Sequence, residues 1–244
     1  MDKDAAQRST VQALRGEFGE RLIGVLLVGS RAYGTPHPLS DWDFFVLIDA
    51  TWRQRRVLSV GGNEVELLIN PVSQVRKEFK LWEHPATIDM FAHGLIVEDS
   101  TGQVAELQAE ASRIWRAGPP PADPKWTALW RYALCDVVKD VQDLQDDDPR
   151  SAEWLTGQGV LSALVGHYRL NRRWLPQQKY LLKDLSCWDE SSAALARDAL
   201  DPSRSIAERV DALWALSHRT LSPVGGWLEH WDSDREELPD ANVQ

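Results

Sequence analysis

The residues best placed to do chemistry lie between two short aliphatic runs. Gly29 and Ser30 follow the first run, and Asp41 and Asp43 stand at the start of the second. Strand side chains alternate between faces, so the two aspartates point to one face and Trp42 points to the other. Two adjacent carboxylates repel each other unless a cation lies between them. The pair therefore predicts a metal site, and oxygen ligands with no neighbouring His or Cys favour Mg²⁺ over zinc.

The same segment offers groups that bind an anion. Gly29 and Ser30, at a strand end, supply backbone N–H groups and a hydroxyl, which suit a phosphate. Arg31 adds a positive charge to this phosphate site, although a solvent-exposed arginine is an equally good interpretation. Ser40 borders the site and is expected to hold the loop by bonding its backbone. The segment thus combines the parts of a site for a phosphate compound and a metal.

Helix and strand signals alternate around this segment. We predict, in order, a helix over 4–18, strands over 22–28 and 42–48 joined by a loop over 29–40, strands over 56–60 and 64–69, helices over 72–82 and 86–91, an edge strand over 94–97 and a helix over 104–115. Later periodic segments predict only helices, over 125–144, 152–174, 179–185, 191–200 and 206–221.

A proline-rich stretch separates the two kinds of pattern. Four prolines fall within the eight residues 117–124, which cannot continue a helix and favour an extended spacer. We therefore predict a mixed α/β (α+β) domain over 1–117, a linker over 118–124, an all-α helical bundle over 125–235 and a tail over 236–244.

The motif Gly-Ser-Arg-Ala-x-Gly-x5-Ser-Asp-x-Asp-x-x-Val, from Gly29 to Val46, resembles the signature of the DNA polymerase beta-like nucleotidyltransferase superfamily. It is similar in style to the minimal nucleotidyltransferases and to the aminoglycoside and lincosamide nucleotidyltransferases. The resemblance covers about residues 8–100 and implies a small mixed sheet flanked by helices. It also implies that the Gly-Ser loop holds a nucleoside triphosphate, that Asp41 and Asp43 bind the catalytic metals, and that a later strand supplies a third carboxylate.

Two residues compete for the place of that third carboxylate. Glu64 and Glu66 share one strand face by the period of two. Glu66 lies between Val65 and Leu67, as the family's acid lies between apolar residues, whereas Glu64 adjoins a Gly-Gly-Asn turn and is expected to be solvated. We favour Glu66 and keep Glu64 as the alternative. The third carboxylate would take a proton from an acceptor hydroxyl or help to hold the metal.

A two-metal mechanism follows from these assignments. Two Mg²⁺ ions held by Asp41 and Asp43 would clamp the attacking oxygen and the leaving pyrophosphate, and Glu66 would complete the acceptor-side ion. Gly29 and Ser30 would cradle the β- and γ-phosphates.

The helical half contributes one basic and one acidic candidate. A Pro-x-x-Lys-Tyr element over 176–180 resembles one in helical domains attached to such enzymes, which implies that Lys179 approaches the phosphates. The alternative is a solvated helix end with cations near the helix C-terminus. Asp136 and Asp140 belong to an acidic stripe on one helix face. The stripe is either an ordinary solvated face or the border of a pocket that attracts a cationic acceptor.

The amino-acid composition limits which classes of binding partner are expected. The 27 Lys and Arg against 37 Asp and Glu give a net charge of −10, which argues against general duplex binding because phosphate neutralisation needs a basic face. No apolar run is long enough to span a bilayer, and no secretory signal is expected at the N-terminus. The only cysteines, Cys135 and Cys187, cannot build a disulfide framework, so we expect a cytoplasmic protein.

These observations predict a Mg²⁺-dependent nucleotidyltransferase. It would move a nucleoside monophosphate, AMP in the first instance, from ATP or another NTP to a hydroxyl of a small cationic acceptor such as an aminoglycoside-like antibiotic. The alternative is an antitoxin-like nucleotidyltransferase, an interaction protein that acts on a protein or RNA partner. The helical half after the linker argues against this alternative, because such proteins are usually little longer than the catalytic domain.

Overall fold

The chain divides into two compact units. A computed structural model describes residues 3–81, 85–233 and 235. The units are Met1–Pro119 and Pro120–Gln244, so the division falls within the proline-rich stretch. The predicted tail over 236–244 lies outside the described residues.

A mixed five-stranded sheet forms the centre of the first unit. Its strands are Leu22–Val28 (β1), Trp42–Ile48 (β2), Gln54–Val60 (β3), Asn63–Pro71 (β4) and Leu95–Asp99 (β5). The strand order is β3-β4-β2-β1-β5. Strands β2 and β4 are parallel, and the other three neighbouring pairs are antiparallel.

Helices lie along the sheet. They are Lys3–Phe18 (α1), Gly29–Ala32 (α2), Val72–Glu78 (α3), Ala86–His93 (α4) and Gln103–Ala117 (α5). The predicted loop over 29–40 therefore begins with one helical turn, because Tyr33 N–H bonds the carbonyl of Gly29 at 3.2 Å. The helix predicted over 72–82 is shorter than expected and ends at Glu78.

Strand β2 separates two apolar layers, and the alternation of its side chains explains why. Phe44 is fully buried in a cluster with Leu14 and Phe18 of α1. Phe45 points to the other face, where its ring meets that of Phe91 on α4 edge to face at 4.9 Å. By the same alternation, the side chain of Asp43 lies on the Phe45 face of the sheet.

Among its described residues, the second unit contains helices and no strand. Its helices are Pro124–Leu144 (α6), Pro149–Leu170 (α7), Leu181–Ser186 (α8), Glu190–Leu200 (α9) and Ile206–Leu221 (α10). Their apolar faces bury a core that includes Leu134, Leu164 and Leu213. The mixed sheet with flanking helices, followed by a helical region, confirms the predicted α+β class.

The long helix predicted over 152–174 is wrong at its C-terminal end. Helix α7 ends at Leu170, and Arg172 adopts a φ of 52° in the left-handed region. That conformation stops a helix before Pro176 is reached. Among the described residues, no helix combines the length and the apolar character that a membrane crossing requires.

Candidate active site

The sheet register brings three carboxylates together. The parallel pairing of β2 with β4 sets Asp43 directly beside Glu66. Asp41 lies two residues before Asp43 and therefore shares its face. One carboxylate oxygen from each of the three residues lies within 4.8 Å of the other two, and all three side chains are partly buried. This group is called the acidic cluster below.

The acidic cluster fits a divalent cation such as Mg²⁺. Its donors are three carboxylate oxygens, which are the hard ligands that Mg²⁺ prefers. Asp41, Asp43 and Glu66 are the residues that would hold the ion. The alternative carboxylate, Glu64, is exposed beside the hairpin turn and is not a member of the cluster.

Gly29 allows the loop to pass directly beside Asp43. Val28, the last residue of β1, pairs with Asp43 across the sheet. Gly29 follows with a φ of +68°, and a Cβ built there would overlap the Asp43 carboxylate. A glycine is therefore required both by the backbone conformation and by the space.

Arg31 and Ser40 hold the loop that leads to the aspartates. Arg31 Nε donates to the carbonyl of Asp41 at 2.7 Å, and its guanidinium also bonds the carbonyl of Ser40. The same guanidinium lies 4.4 Å from the ring centre of Trp42. Ser40 Oγ accepts from the N–H of His37 at 2.9 Å, which is the loop-holding contact expected for it. Arg31 is thus hydrogen-bonded to the backbone of the loop.

Arg55 contacts the cluster and was not predicted from the sequence. Arg55 Nε donates to the carboxylate of Glu66 as an ion pair. That hydrogen bond and the positive charge hold the pKa of Glu66 below its ordinary value, although burial acts in the opposite direction. The strand was predicted to begin at residue 56, so Arg55 was left outside it. The alternation of side chains along β3 shows that Arg55 lies near Glu66 only once the pairing of β3 with β4 is known.

A second set of side chains that was not predicted from the sequence, Tyr33, Asp89 and His93, connects the loop to α4. Tyr33 Oη donates to the Asp89 carboxylate at 2.6 Å. His93 Nδ1 lies 2.9 Å from the other oxygen of Asp89, one turn along the same helix. The His93 ring meets that of Trp115 edge to face at 4.9 Å. The loop after α2 is therefore anchored to α4, which in turn packs against α5 through His93 and Trp115.

The basic candidate of the second unit is exposed. Lys179 lies on a single 3-10 turn, Gln178–Tyr180, with its Nζ 5.1 Å from the ring centre of Tyr180. Its expected contact with phosphate stays a prediction.

The acidic candidates, Asp136 and Asp140, are exposed on α6. A cavity of about 410 Å³ in this unit is lined by Thr127, Arg131 and Arg172, among others, and by neither aspartate. Their acceptor-pocket role stays a prediction.

Comparison with known proteins identifies the first unit. Residues 9–94 match the family described as nucleotidyltransferase domain. No curated protein matches the sequence. The crystal structure of a nucleotidyltransferase-like protein from Exiguobacterium sibiricum 255-15 is similar with a TM-score of 0.52 and 11% identity, over 91% of this chain and 75% of that chain. At this identity, the likeness shows the fold alone.

Fold and matched residues together define the class: the first unit carries a nucleotidyltransferase domain of the polymerase beta-like superfamily. The resemblance found in the motif from Gly29 to Val46 is thereby confirmed. The protein is a nucleotidyltransferase enzyme, and an NTP is its donor substrate.

Proposed function

We propose that this enzyme transfers a nucleoside monophosphate, AMP in the first instance, to a hydroxyl of a small cationic acceptor and that it requires Mg²⁺. The observation that carries the proposal is the acidic cluster, with its three carboxylate oxygens within 4.8 Å of one another. Two further features support a nucleotide there. Gly29 lets the loop pass directly beside Asp43, and the loop that follows is held by its own hydrogen bonds.

The residues have distinct tasks in the proposed reaction. Asp41, Asp43 and Glu66 would hold Mg²⁺, which when bound neutralises phosphate charge and acts as a Lewis acid. Gly29 and Ser30 donate backbone N–H groups and a hydroxyl to the phosphates. The acceptor oxygen forms a bond to the α-phosphorus, and the bond from that phosphorus to the pyrophosphate oxygen breaks. Glu66 takes the proton of the acceptor hydroxyl or helps to hold the metal that promotes its loss.

The charge of the chain supports a cationic acceptor. A net charge of −10 attracts small cations and disfavours a nucleic-acid acceptor. Asp136 and Asp140 are exposed carboxylates of the helical unit that would contribute to this attraction. We also retain Lys179 as a phosphate ligand on the strength of the Pro-x-x-Lys-Tyr resemblance.

The function is tested by incubating the full-length protein with each labelled NTP, Mg²⁺ and a panel of acceptors: aminoglycosides, lincosamides, tRNA and cell-extract proteins. We expect label transfer from ATP to an aminoglycoside-like compound and loss of transfer in Asp41→Ala and Asp43→Ala. Transfer that survives both substitutions would contradict the mechanism. Label that moves instead to tRNA or protein would support the antitoxin-like alternative.

A matched pair of variants tests the third carboxylate. Glu66→Gln removes the carboxylate that would accept the proton or hold the metal, and it should lower kcat by about 10²-fold or more. Glu64→Gln makes the same change two residues away, on the same strand face but outside the acidic cluster. It should keep kcat within about twofold of the parent, because general-base catalysis needs direct reach of the hydroxyl. The reverse ranking would assign the role to Glu64.

A further inference from the structure

Arg55 approaches the acidic cluster from the solvent side. Its Nε donates to Oε1 of Glu66. The Arg55 side chain is 71% exposed, whereas that of Glu66 is 16% exposed. The guanidinium thus reaches a carboxylate of the cluster while most of the arginine remains in water.

The strand pairing explains this reach and supplies an internal comparison. Val57 of β3 pairs with Glu66 of β4, so Arg55, two residues away, is its diagonal neighbour on the same face. Arg56 points to the opposite face, where it donates to the Glu17 carboxylate of α1 at 2.8 and 2.9 Å. Strand β3 therefore carries two adjacent guanidinium groups, one at the cluster and one away from it.

The Arg55 pair is too exposed to contribute much to fold stability. Its effect falls instead on the carboxylates of the cluster, whose mutual repulsion a nearby positive charge reduces. A divalent cation bound by the same carboxylates would be repelled by that charge. The guanidinium and a bound metal would thus compete for Glu66.

We propose that Arg55 is a positioning residue that serves as the counter-ion of the metal-free cluster and lowers its affinity for free divalent metal, a role that rests on the proposed function because it presumes that the cluster binds metal. A nucleoside triphosphate brings negative charge that satisfies both the metal and the guanidinium. Arg55 therefore favours loading of the metal together with the nucleotide over loading of the metal alone.

The test titrates the full-length protein with Mn²⁺, whose unbound fraction is followed by electron paramagnetic resonance. Arg55→Gln removes the competing charge and should bind Mn²⁺ roughly three- to tenfold more tightly than the parent. Arg56→Gln removes the same charge on the opposite face and should stay within about twofold, because solvent screens the longer path. Arg55→Lys keeps the charge and should also stay near the parent value.

A second Mn²⁺ titration is made in the presence of nucleotide. With a non-hydrolysable ATP analogue present, the difference between Arg55→Gln and the parent should shrink, because the triphosphate compensates the guanidinium. The unfolding midpoint in urea should be almost unchanged in Arg55→Gln, which separates a charge effect on the site from damage to the fold.

The outcomes separate this inference from the proposed function. If the parent binds Mn²⁺, Asp43→Ala does not, and Arg55→Gln is unchanged or weaker, the role of Arg55 is wrong and the metal site stands. Equal tightening in Arg56→Gln would also overturn it, since the effect would then be one of net charge. A parent that binds no Mn²⁺ with or without the analogue would overturn the proposed function and the role of Arg55 with it.

Discussion

Gly29 has a left-handed backbone conformation and also lies in direct contact with the acidic cluster. Its φ of +68° and the overlap that a Cβ would make with the Asp43 carboxylate are two separate obstacles to a side chain. Gly29→Ala should therefore displace Asp43. We expect a loss of about tenfold or more in Mn²⁺ affinity and a larger loss in transfer rate, since metal-assisted catalysis depends on ligand geometry.

Gly61 is the matched control for this substitution. It lies in the turn between β3 and β4 with a φ of +57°, and a Cβ there would have nothing within 4 Å. Gly61→Ala should lose about 1 kcal/mol of unfolding free energy from backbone strain while leaving metal affinity and transfer unchanged. Urea unfolding and the Mn²⁺ titration measure the two effects. Equal losses of metal affinity in both variants would show that strain, and not contact with Asp43, is responsible.

Asp189 organises the N-terminus of helix α9. Its carboxylate accepts from the backbone N–H of Ser192 at 3.1 Å and from Arg219 at 3.0 Å, and it lies 2.8 Å from Nε2 of His167. Burial alone would raise the pKa of Asp189, but the hydrogen bonds that it accepts together lower the pKa to about 2. Burial lowers the pKa of His167, which favours a neutral ring that donates its N–H to Asp189.

This network predicts a dependence of stability on pH. The pKa of Asp189 is about 2 in the folded state against an ordinary 3.8, so the unfolded state binds the proton more readily. The resulting stabilisation is present above pH 3.8 and is lost as pH falls towards 2. Asp189→Asn keeps a capping side chain but loses the charge. It should lower the unfolding free energy by about 2 kcal/mol at neutral pH.

Urea unfolding of both proteins across the acid range checks this expectation. The difference between them should disappear near the pKa of about 2. Asp148→Asn is the comparison, because Asp148 caps α7 through Ser151 in the same way at an exposed site. It should cause a smaller loss. A difference between Asp189→Asn and the parent that is independent of pH would show that the lost charge is not the cause.

At the scale of the whole molecule, the net charge is expected to affect binding of the acceptor. With a net charge of −10, attraction of a cationic acceptor should weaken as salt screens it. We expect the KM for an aminoglycoside to rise when salt increases from about 50 to about 200 mM. The N-acetylated form of the same compound has hydroxyls but little charge. Its KM should be higher at low salt and nearly independent of salt. Equal salt dependence of the two compounds would contradict a cationic acceptor.

Much of the architecture could be predicted from local pattern. The strands over 22–28 and 42–48 were predicted at the bounds that the structure has. Each is a mostly apolar run of seven residues, a length that is typical of a buried strand and short for a helix. The motif from Gly29 to Val46 is also continuous in the chain, and it predicted the nucleotidyltransferase class that the family match then confirmed. The end of α7 was missed, because a left-handed residue such as Arg172 leaves no signal in apolar periodicity.

The sequence by itself thus predicted the class of the enzyme and placed Asp41 and Asp43 on one face. Only the tertiary structure decided which carboxylate joins them. Glu64 and Glu66 are equivalent in strand period, and the parallel register of β2 with β4 places Glu66 beside Asp43. The same is true of Arg55, which reaches the cluster through the pairing of β3 with β4. Register depends on packing between segments distant in the chain, and so periodicity within one segment cannot specify it.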